Sequence, residues 1–428
     1  MASFILMFFA ILLVIGVPIG FVLAVVSFFA LLRMGNPILL SLIPQRMFAG
    51  LDSFTFLAIP FFFLAGELMS KSEITTDLME FASVVIGRIR GGLAYANILA
   101  SIFFAGITGA ALADVAALGS IEIPAMEEGG YDTKFAAAIT VASSIIGPII
   151  PPSIIMVIYG SIMQVSIAAL FLAGIVPGLM LGGILSIMSY YYAKKNNYPK
   201  REEKVTLKEF FISFRKAVLA LIMPIILLGG ILSGVFTPTE AASVAAAYAF
   251  IIGFFVKKTL KLKHIPDIFR KIVLNTSIVF LVLAAASIFS WVMAFDQIPS
   301  QIANAIVNFT SNKLVVLLLI NIFLLFVGML MDVGAALIVL APILAPIAIE
   351  FGVHPLHFGI VMSINLMIGL STPPVGPVLF ATVGITDLTI EELSKAVAPF
   401  LIGMFIFLMI ITYFPQISMF LPKLFGYI

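Results

Sequence analysis

Three prolines and a glycine fall within six residues, Gly147-Pro-Ile-Ile-Pro-Pro152, inside an apolar segment that runs from Phe135 to about Met163. Proline has no N–H to give and its ring clashes with the preceding turn, so a helix entering this stretch stops. In lipid, a freed backbone group is costly unless the break is buried in protein or lines a wet cavity. The stretch Gly369-Leu-Ser-Thr-Pro-Pro-Val-Gly-Pro377 interrupts a second apolar segment in the same way, Gly369 lying 222 residues after Gly147. One such break alone is more readily a packing kink. Two matched ones in an apolar chain point to the binding site of a membrane transporter.

Composition sets the class. The chain is 62 % hydrophobic and 10 % charged, against about 25 % charged in soluble domains. It reads as an all-α polytopic membrane protein, and at roughly 20 residues per span the length allows about a dozen crossings. There is no cysteine, which excludes disulfides, thiolate metal sites and thiol chemistry. Three histidines, His264, His354 and His357, are too few and too loop-like to predict a metal centre. The net charge of +2 gives no signal of a nucleic-acid partner. No Gly-x-x-x-x-Gly-Lys-Ser/Thr phosphate loop is present, which argues against ATP hydrolysis in this chain. Met1-Ala-Ser-Phe-Ile lacks the basic start of a cleaved signal and reads as part of the first span.

In chain order, residues 3–34 read as two short helices around Gly16-Val-Pro-Ile-Gly20, residues 53–70 as a span, and 74–90 as an amphipathic arm on the membrane surface. Residues 92–126 centre on Phe104-Ala-Gly-Ile-Thr-Gly-Ala-Ala-Leu-Ala-Asp114, whose small residues suit the tip of a re-entrant hairpin. The broken helix follows, then a span over 166–193. The loop from Lys194 to Lys216 carries eight Lys or Arg and that from Lys257 to Lys271 six. The positive-inside rule makes both cytoplasmic. Between them lie spans at 217–235 and 238–256, the second opened by the capping box Thr237-Pro-Thr-Glu240. A span at 276–297, a second hairpin over 314–349 with its tip at Gly328–Gly334, the second broken helix over 356–385 and a last span at 397–425 complete the chain.

Residues 124–152 laid over 346–374 without gaps pair Pro124 with Pro346, Gly130 with Gly352, Gly147 with Gly369, and Pro151-Pro152 with Pro373-Pro374. Pro177 falls on Pro399 at the same offset. The first hairpin starts beside Arg88 and Arg90, the second one span after a basic loop, so an odd number of crossings separates the halves. The expectation is an inverted repeat with two re-entrant hairpins and two discontinuous helices. Arg33 then falls on the outer side, against the charge rule.

In such a repeat, tips and breaks meet near the midplane, where unwound carbonyls hold a small cation and half-helix N-termini an anion. The first candidate cation site pairs Thr108 with Gly147, Ile149 and Pro152; the second pairs Gly328 with Gly369, Ser371, Thr372 and Pro374. Asp114 and Asp332, nearest the tips, line the expected substrate cavity or cap the returning half-helices. Ser143, Ser144 and Asn365, just before the breaks, line the cavity or serve helix packing.

The runs Gly106-Ile-Thr-Gly-Ala-Ala-Leu-Ala-Asp-Val-Ala-Ala-Leu-Gly119, Ile123-Pro-Ala-Met-Glu-Glu-Gly-Gly-Tyr131, Gly147-Pro-Ile-Ile-Pro-Pro-Ser153 and Phe236-Thr-Pro-Thr-Glu-Ala-Ala242 resemble signatures of the large membrane subunit of tripartite ATP-independent periplasmic (TRAP) transporters, and the resemblance covers essentially the whole chain. It implies a sodium-driven importer of organic acids such as sialic acids or C4-dicarboxylates in the bacterial inner membrane. It implies a soluble periplasmic substrate-binding protein and, with no fused N-terminal segment, a separate small membrane subunit. It implies no cofactor, only Na⁺ as coupling ion, and an elevator-type fold. The family's first sodium site maps onto Thr108, Gly147, Ile149 and Pro152, the second onto Gly328, Gly369 and Thr372, with Asp114 and Asp332 at cavity-lining positions. The expected division is 1–91 scaffold helices and arm, 92–165 first hairpin and broken helix, 166–313 scaffold helices and cytoplasmic loops, 314–387 second hairpin and broken helix, and 388–428 a C-terminal helix. The rival readings are an intramembrane aspartyl protease using Asp114 and Asp332 as a proton-sharing dyad, and an anion carrier that needs no binding protein.

Overall fold

The computed structural model describes residues 2–428 except 73, 87–88, 109–110, 201–204 and 311. Among the described residues every regular element is a helix, and eight helices are long and apolar enough to cross a membrane. The chain opens with α1 (Ala2–Val14) and α2 (Ile19–Arg33), separated by Gly16 in the left-handed region at φ 86°. Next come α3 (Leu42–Ala49), α4 (Ala58–Lys71) and the arm α5 (Ile74–Ile86). The first hairpin is α6 (Gly92–Thr108) returning through α7 (Ala111–Asp114), a π turn (Val115–Gly119) and α8 (Ser120–Glu128). The first broken helix is α9 (Thr133–Ser144) and α10 (Ile154–Met163). Then follow α11 (Ile167–Lys195), α12 (Leu207–Leu232), α13 (Pro238–Ile251), α14 (Ile265–Phe295) and α15 (Ile298–Phe309). The second hairpin is α16 (Lys313–Leu330) and α17 (Val333–Glu350), and the second broken helix α18 (Pro355–Leu370) and α19 (Pro377–Val383). α20 (Ile390–Tyr413) and α21 (Pro415–Leu424) close the chain.

Several boundaries depart from the sequence expectation. α12 starts at Leu207 rather than 217, because Thr206 and Glu209 form a reciprocal capping box inside the basic loop, at 3.1 and 2.9 Å. α14 starts at Ile265 rather than 276 and carries proline near its first position, where the missing N–H costs nothing. The last span is not continuous: Phe414 leaves the helical region (φ −118°, ψ 76°) ahead of Pro415, so α20 ends at Tyr413. α3 and α15 had no counterpart in the sequence reading. The Thr237/Glu240 capping box forms as expected, at 3.3 and 2.8 Å.

The helices sort into two groups. In one, α2 packs on α14, α4 on α13 and α14, and α12 on α5 and α13. Ion pairs tie this group together: Lys257 with Asp77, Lys216 with Glu80 (2.9 Å) and Lys271 with Glu67 (2.8 Å). In the other, the two hairpins and two broken helices pack around one another and against α11, α20 and α21. Arg33, the exception to the charge rule, lies 4.8 Å from the centre of the Phe4 ring, a cation–π contact that gives it a local partner.

Repeat and inversion are both visible in the contacts. Lys134 at the start of α9 meets Glu392 at the start of α20 (3.1 Å). α9 and α10 together cross to the far side, where α11 begins. The repeat mates α11 and α20 therefore start at opposite ends and run antiparallel. The ends match too: the Gly91 N–H, before α6, donates to Pro199 O after α11 (3.3 Å), and the Tyr413 hydroxyl, ending α20, donates to Leu314 O in the first turn of α16 (3.0 Å). The bonds Pro151–Pro152 and Pro373–Pro374 are both cis. The halves interlock where the Tyr159 hydroxyl of α10 donates to Pro355 O at the start of α18 (2.8 Å) and its ring lies on Gly359.

Candidate functional site

In the second half the structure brings the expected residues together. Gly328 on α16 and Gly369 at the end of α18 meet backbone to backbone. A methyl on Gly369 would sit 2.6 Å from both Cα and C of Gly328, and one on Gly328 would sit 2.9 Å from Leu366 O. Only two glycines permit this approach. Beyond it the chain unwinds. Ser371 and Thr372 donate their hydroxyls to Ile368 O (2.9 and 2.7 Å), which leaves the oxygen lone pairs of both side chains available to a cation. Gly376 sits at φ 46° with Thr372 O and Leu370 O facing its Cα, and its N–H donates to Met329 O of the hairpin (3.3 Å). Pro374 lies between Thr372 and Gly376, so the break is a short arc of carbonyl and hydroxyl oxygens held against the hairpin. That donor chemistry suits a hard cation.

The first half is built alike but closed differently. α9 ends at Ser144 and the chain turns through 145–153, Ile149 and Ile150 both donating to Ile146 O (3.0 and 3.1 Å). Gly147 is filled from the hairpin side: a methyl there would coincide with Oδ2 of Asp114. Asp114 is only 1 % exposed, so its carboxylate is seated on the break. Ile149 turns its carbonyl towards Gly174 of α11, where any side chain would collide with it. Pro152 is buried, and Ser153 caps α10 by accepting from Met156 N (3.4 Å). Thr108 ends α6; its side chain, like Gly109 and Ala110 at the tip, lies outside the described residues.

The two aspartates take different roles. Asp332 is exposed and caps α17, accepting from Ala335 N (3.2 Å). Asp114 lies within helical geometry, makes no cap, and immediately precedes the π turn, a distortion that recurs at functional sites. Ser143, Ser144 and Asn365 are buried in the packing between hairpin and broken helix. Ser143 Oγ donates to Asn97 Oδ1 (2.7 Å), Ser144 Oγ to Val141 O (2.9 Å), and Asn365 Nδ2 to Asn321 Oδ1 (2.7 Å).

Those bonds expose two residues that sequence reasoning missed. Asn97 and Asn321, each the one amide side chain on the apolar first arm of its hairpin, clamp the broken helix in both halves. Asn97 also donates to Thr140 Oγ1 (2.8 Å), and Asn321 to Thr412 Oγ1 (3.0 Å). A polar amide inside a membrane helix was the available signal. So was the offset: Ser143 and Asn365 lie 222 apart, Asn97 and Asn321 224. The second network continues to His357, whose Nδ1 meets Ser418 Oγ (2.8 Å) and Nε2 meets Thr412 O (3.2 Å). The Thr412 carbonyl can only accept, so the proton sits on Nε2.

Residues 6–417 match the family model described as "Tripartite ATP-independent periplasmic transporter, DctM component". The chain is 42 % identical to the sialic acid TRAP transporter large permease protein SiaM of Vibrio cholerae, over 97 % of both chains. It is 41 % identical to the C4-dicarboxylate TRAP transporter large permease protein DctM of Pseudomonas aeruginosa, over 89 % of both. Among solved structures, the YdaH transporter of Alcanivorax borkumensis superposes with a TM-score of 0.67 at 13 % identity, covering 89 % of each chain, a likeness of fold alone. The all-helical membrane architecture, the repeated hairpin and broken helix, and these matches agree. This chain belongs to the DctM family, the large permease component of tripartite ATP-independent periplasmic transporters of the bacterial inner membrane.

Proposed function

We propose that this chain is the membrane subunit of a sodium-coupled importer that carries an organic acid, of the sialic acid or C4-dicarboxylate class, across the inner membrane by an elevator movement. Transporters of this family work with a periplasmic binding protein and often with a small membrane subunit. Here the acid is handed over by a soluble periplasmic protein, and a separate small subunit braces the α2–α4–α13–α14 group. The observation that carries the reading is the glycine-on-glycine seat of Gly328 and Gly369 beside the oxygen arc of Ser371, Thr372 and Leu370. An oxygen arc held by a hairpin tip gives Na⁺ a site that exists only while tip and break stay together. Occupancy is thereby linked to hairpin position. On this reading the moving body is both hairpins and both broken helices, with α11 and α20, which the sequence division assigns to the scaffold and to a separate C-terminal helix, carried along; the packing of these helices on one another supports it. Each net positive charge carried inward contributes about 2.3 kcal/mol per 100 mV.

The experiment is uptake into proteoliposomes holding this chain with its small subunit and binding protein, with and without an inward sodium gradient. Sodium-dependent accumulation of an organic acid is expected; accumulation indifferent to sodium overturns the coupling. Uptake that proceeds without the binding protein favours the self-sufficient carrier. The protease reading has no geometric support. A proton-sharing dyad needs two carboxylates in one setting, whereas Asp114 is buried on Gly147 and Asp332 is an exposed helix cap.

A further inference from the structure

Glu122 on α8 is 3 % exposed, and neither carboxylate oxygen has a hydrogen-bond partner among the described residues. A buried carboxylate in that state is far too costly to keep charged; it takes up a proton or holds a cation. Glu122 borders a cavity of about 40 Å³ whose other walls include Ser83 of the arm α5 and Asn97 of α6, space for a water or two. Ser83 and Leu93 are shared with a crevice of about 420 Å³ that reaches Gly92, Gly129, Tyr131 and Lys200. Lys200 belongs to the basic loop that reads as cytoplasmic. The carboxylate thus lies one small cavity away from an opening on that side.

The surroundings favour a proton over a metal ion. The remaining cavity walls are mainly apolar, Met79, Leu93, Ala96, Ala125 and Met126. The Asn97 amide is already engaged with Thr140 and Ser143, so too few free oxygens converge to replace a cation's water shell. The other buried acid of the same hairpin is Asp114, seated on Gly147. On α5, Asp77 and Glu80 are paired with Lys257 and Lys216. On α9, Lys134 is paired with Glu392. At the crevice, burial pushes the Tyr131 phenol up to about 12, which leaves it neutral at physiological pH. Lys200 is the basic residue on the wall of the wider crevice. Nor does the fold require the charge: at the repeat offset of 222 residues the second half carries Leu344, buried and apolar.

We propose that Glu122 is a proton-binding site of this permease, loaded and emptied through the crevice beside Lys200 and linked through Asn97 to the first helix break. The step moves one proton from crevice water to a Glu122 Oε and back. Neutral Glu122 allows α8 to lie closed against α5 and α6. The carboxylate, once ionised, draws water into the cavity and loosens that contact. Proton occupancy is therefore read by the first hairpin, and through Asn97 and Ser143 by the break at Gly147. The proton site stands apart from the sodium reading; only its effect on uptake rests on the chain's being a transporter.

Difference infrared spectroscopy on the purified chain in lipid, stepped across pH, tests the site directly. A protonated carboxylic acid C=O band that titrates and is lost in Glu122→Gln is expected. If no such band depends on Glu122, or if the Glu122 carboxylate band answers to Na⁺ and not to pH, the proposal is overturned. In the complete transporter, Glu122→Gln, which fixes the neutral form, is expected to keep uptake and lose its dependence on crevice-side pH. A Glu122→Gln pH profile that superimposes on the wild type overturns the coupling, whatever the spectrum shows. Because the infrared measurement needs neither partner proteins nor sodium, failure of the proton site and failure of the transport reading are distinguishable.

Discussion

Gly369 and Gly229 show how differently a single hydrogen can matter. A methyl on Gly369 meets the backbone of Gly328 at 2.6 Å, whereas one on Gly229 of α12 meets nothing within 4 Å. Backbone cannot rotate out of the way as a side chain can. Gly369→Ala is expected to destabilise by about 1–3 kcal/mol through overpacking and to abolish sodium-induced protection in a thermal melt. Gly229→Ala is expected to be neutral or to stabilise by up to about 1 kcal/mol, with sodium protection intact. Equal behaviour of the two would refute the close approach as the working feature. Thr372 tests the hydroxyl separately: Thr372→Ala is expected to raise the sodium concentration for half-maximal uptake, and Thr372→Ser to restore it. The glycines and prolines of both breaks were legible in the sequence because they act on their own backbone. Asp114 on Gly147 was not, because that contact joins residues 33 apart on separate elements.

Among the elements, the first arm of each hairpin holds its broken helix through an asparagine side chain. Asn97→Ala and Asn321→Ala are each expected to cost about 1–3 kcal/mol, since buried partners lose a bond that water cannot replace. The cycle combining Asn97→Ala with Ser143→Ala should return a coupling of at least about 0.5 kcal/mol in unfolding experiments. Additive effects would show that the 2.7 Å bond contributes nothing to hairpin docking. Helix existence followed from hydropathy, but helix ends followed from chemistry that hydropathy does not weigh. The Thr206/Glu209 box extends α12 into the basic loop, and Pro415 divides the last span although the residues on either side are apolar. α15 was missed because its Pro, Ser, Gln and Asn residues lower its mean hydropathy below that of a span.

At the scale of the molecule, the five ion pairs among the described residues stay within one group of helices or the other. Contacts between the groups include the stacked rings of Phe81 on α5 and Phe103 on α6, 6.0 Å apart. Stacking of this kind tolerates sliding better than a directed salt bridge does. With no native cysteine, paired cysteines give a clean reading. Bridging positions 134 and 392, inside the body proposed to move, is expected to leave uptake unchanged. Bridging 81 and 103, across the boundary, is expected to stop it until the linker is cleaved. Uptake that survives the second bridge would rule out a sliding movement between arm and hairpin.

The class, the two breaks, the two hairpins and the repeat that relates them are legible along the chain. Each of these follows from local rules, since hydropathy sets spans, proline and glycine set breaks, and basic loops set sides. Tertiary structure decided what faces each break: Gly328 in one half, the Asp114 carboxylate in the other. It also decided that Asp332 caps a helix, that Asn97 and Asn321 act as clamps, and that Glu122 is sealed beside a small cavity. The physical reason is common to all of these. A side chain's role here depends on which distant backbone or amide it meets once the helices pack, and that is not written in its own neighbourhood along the chain.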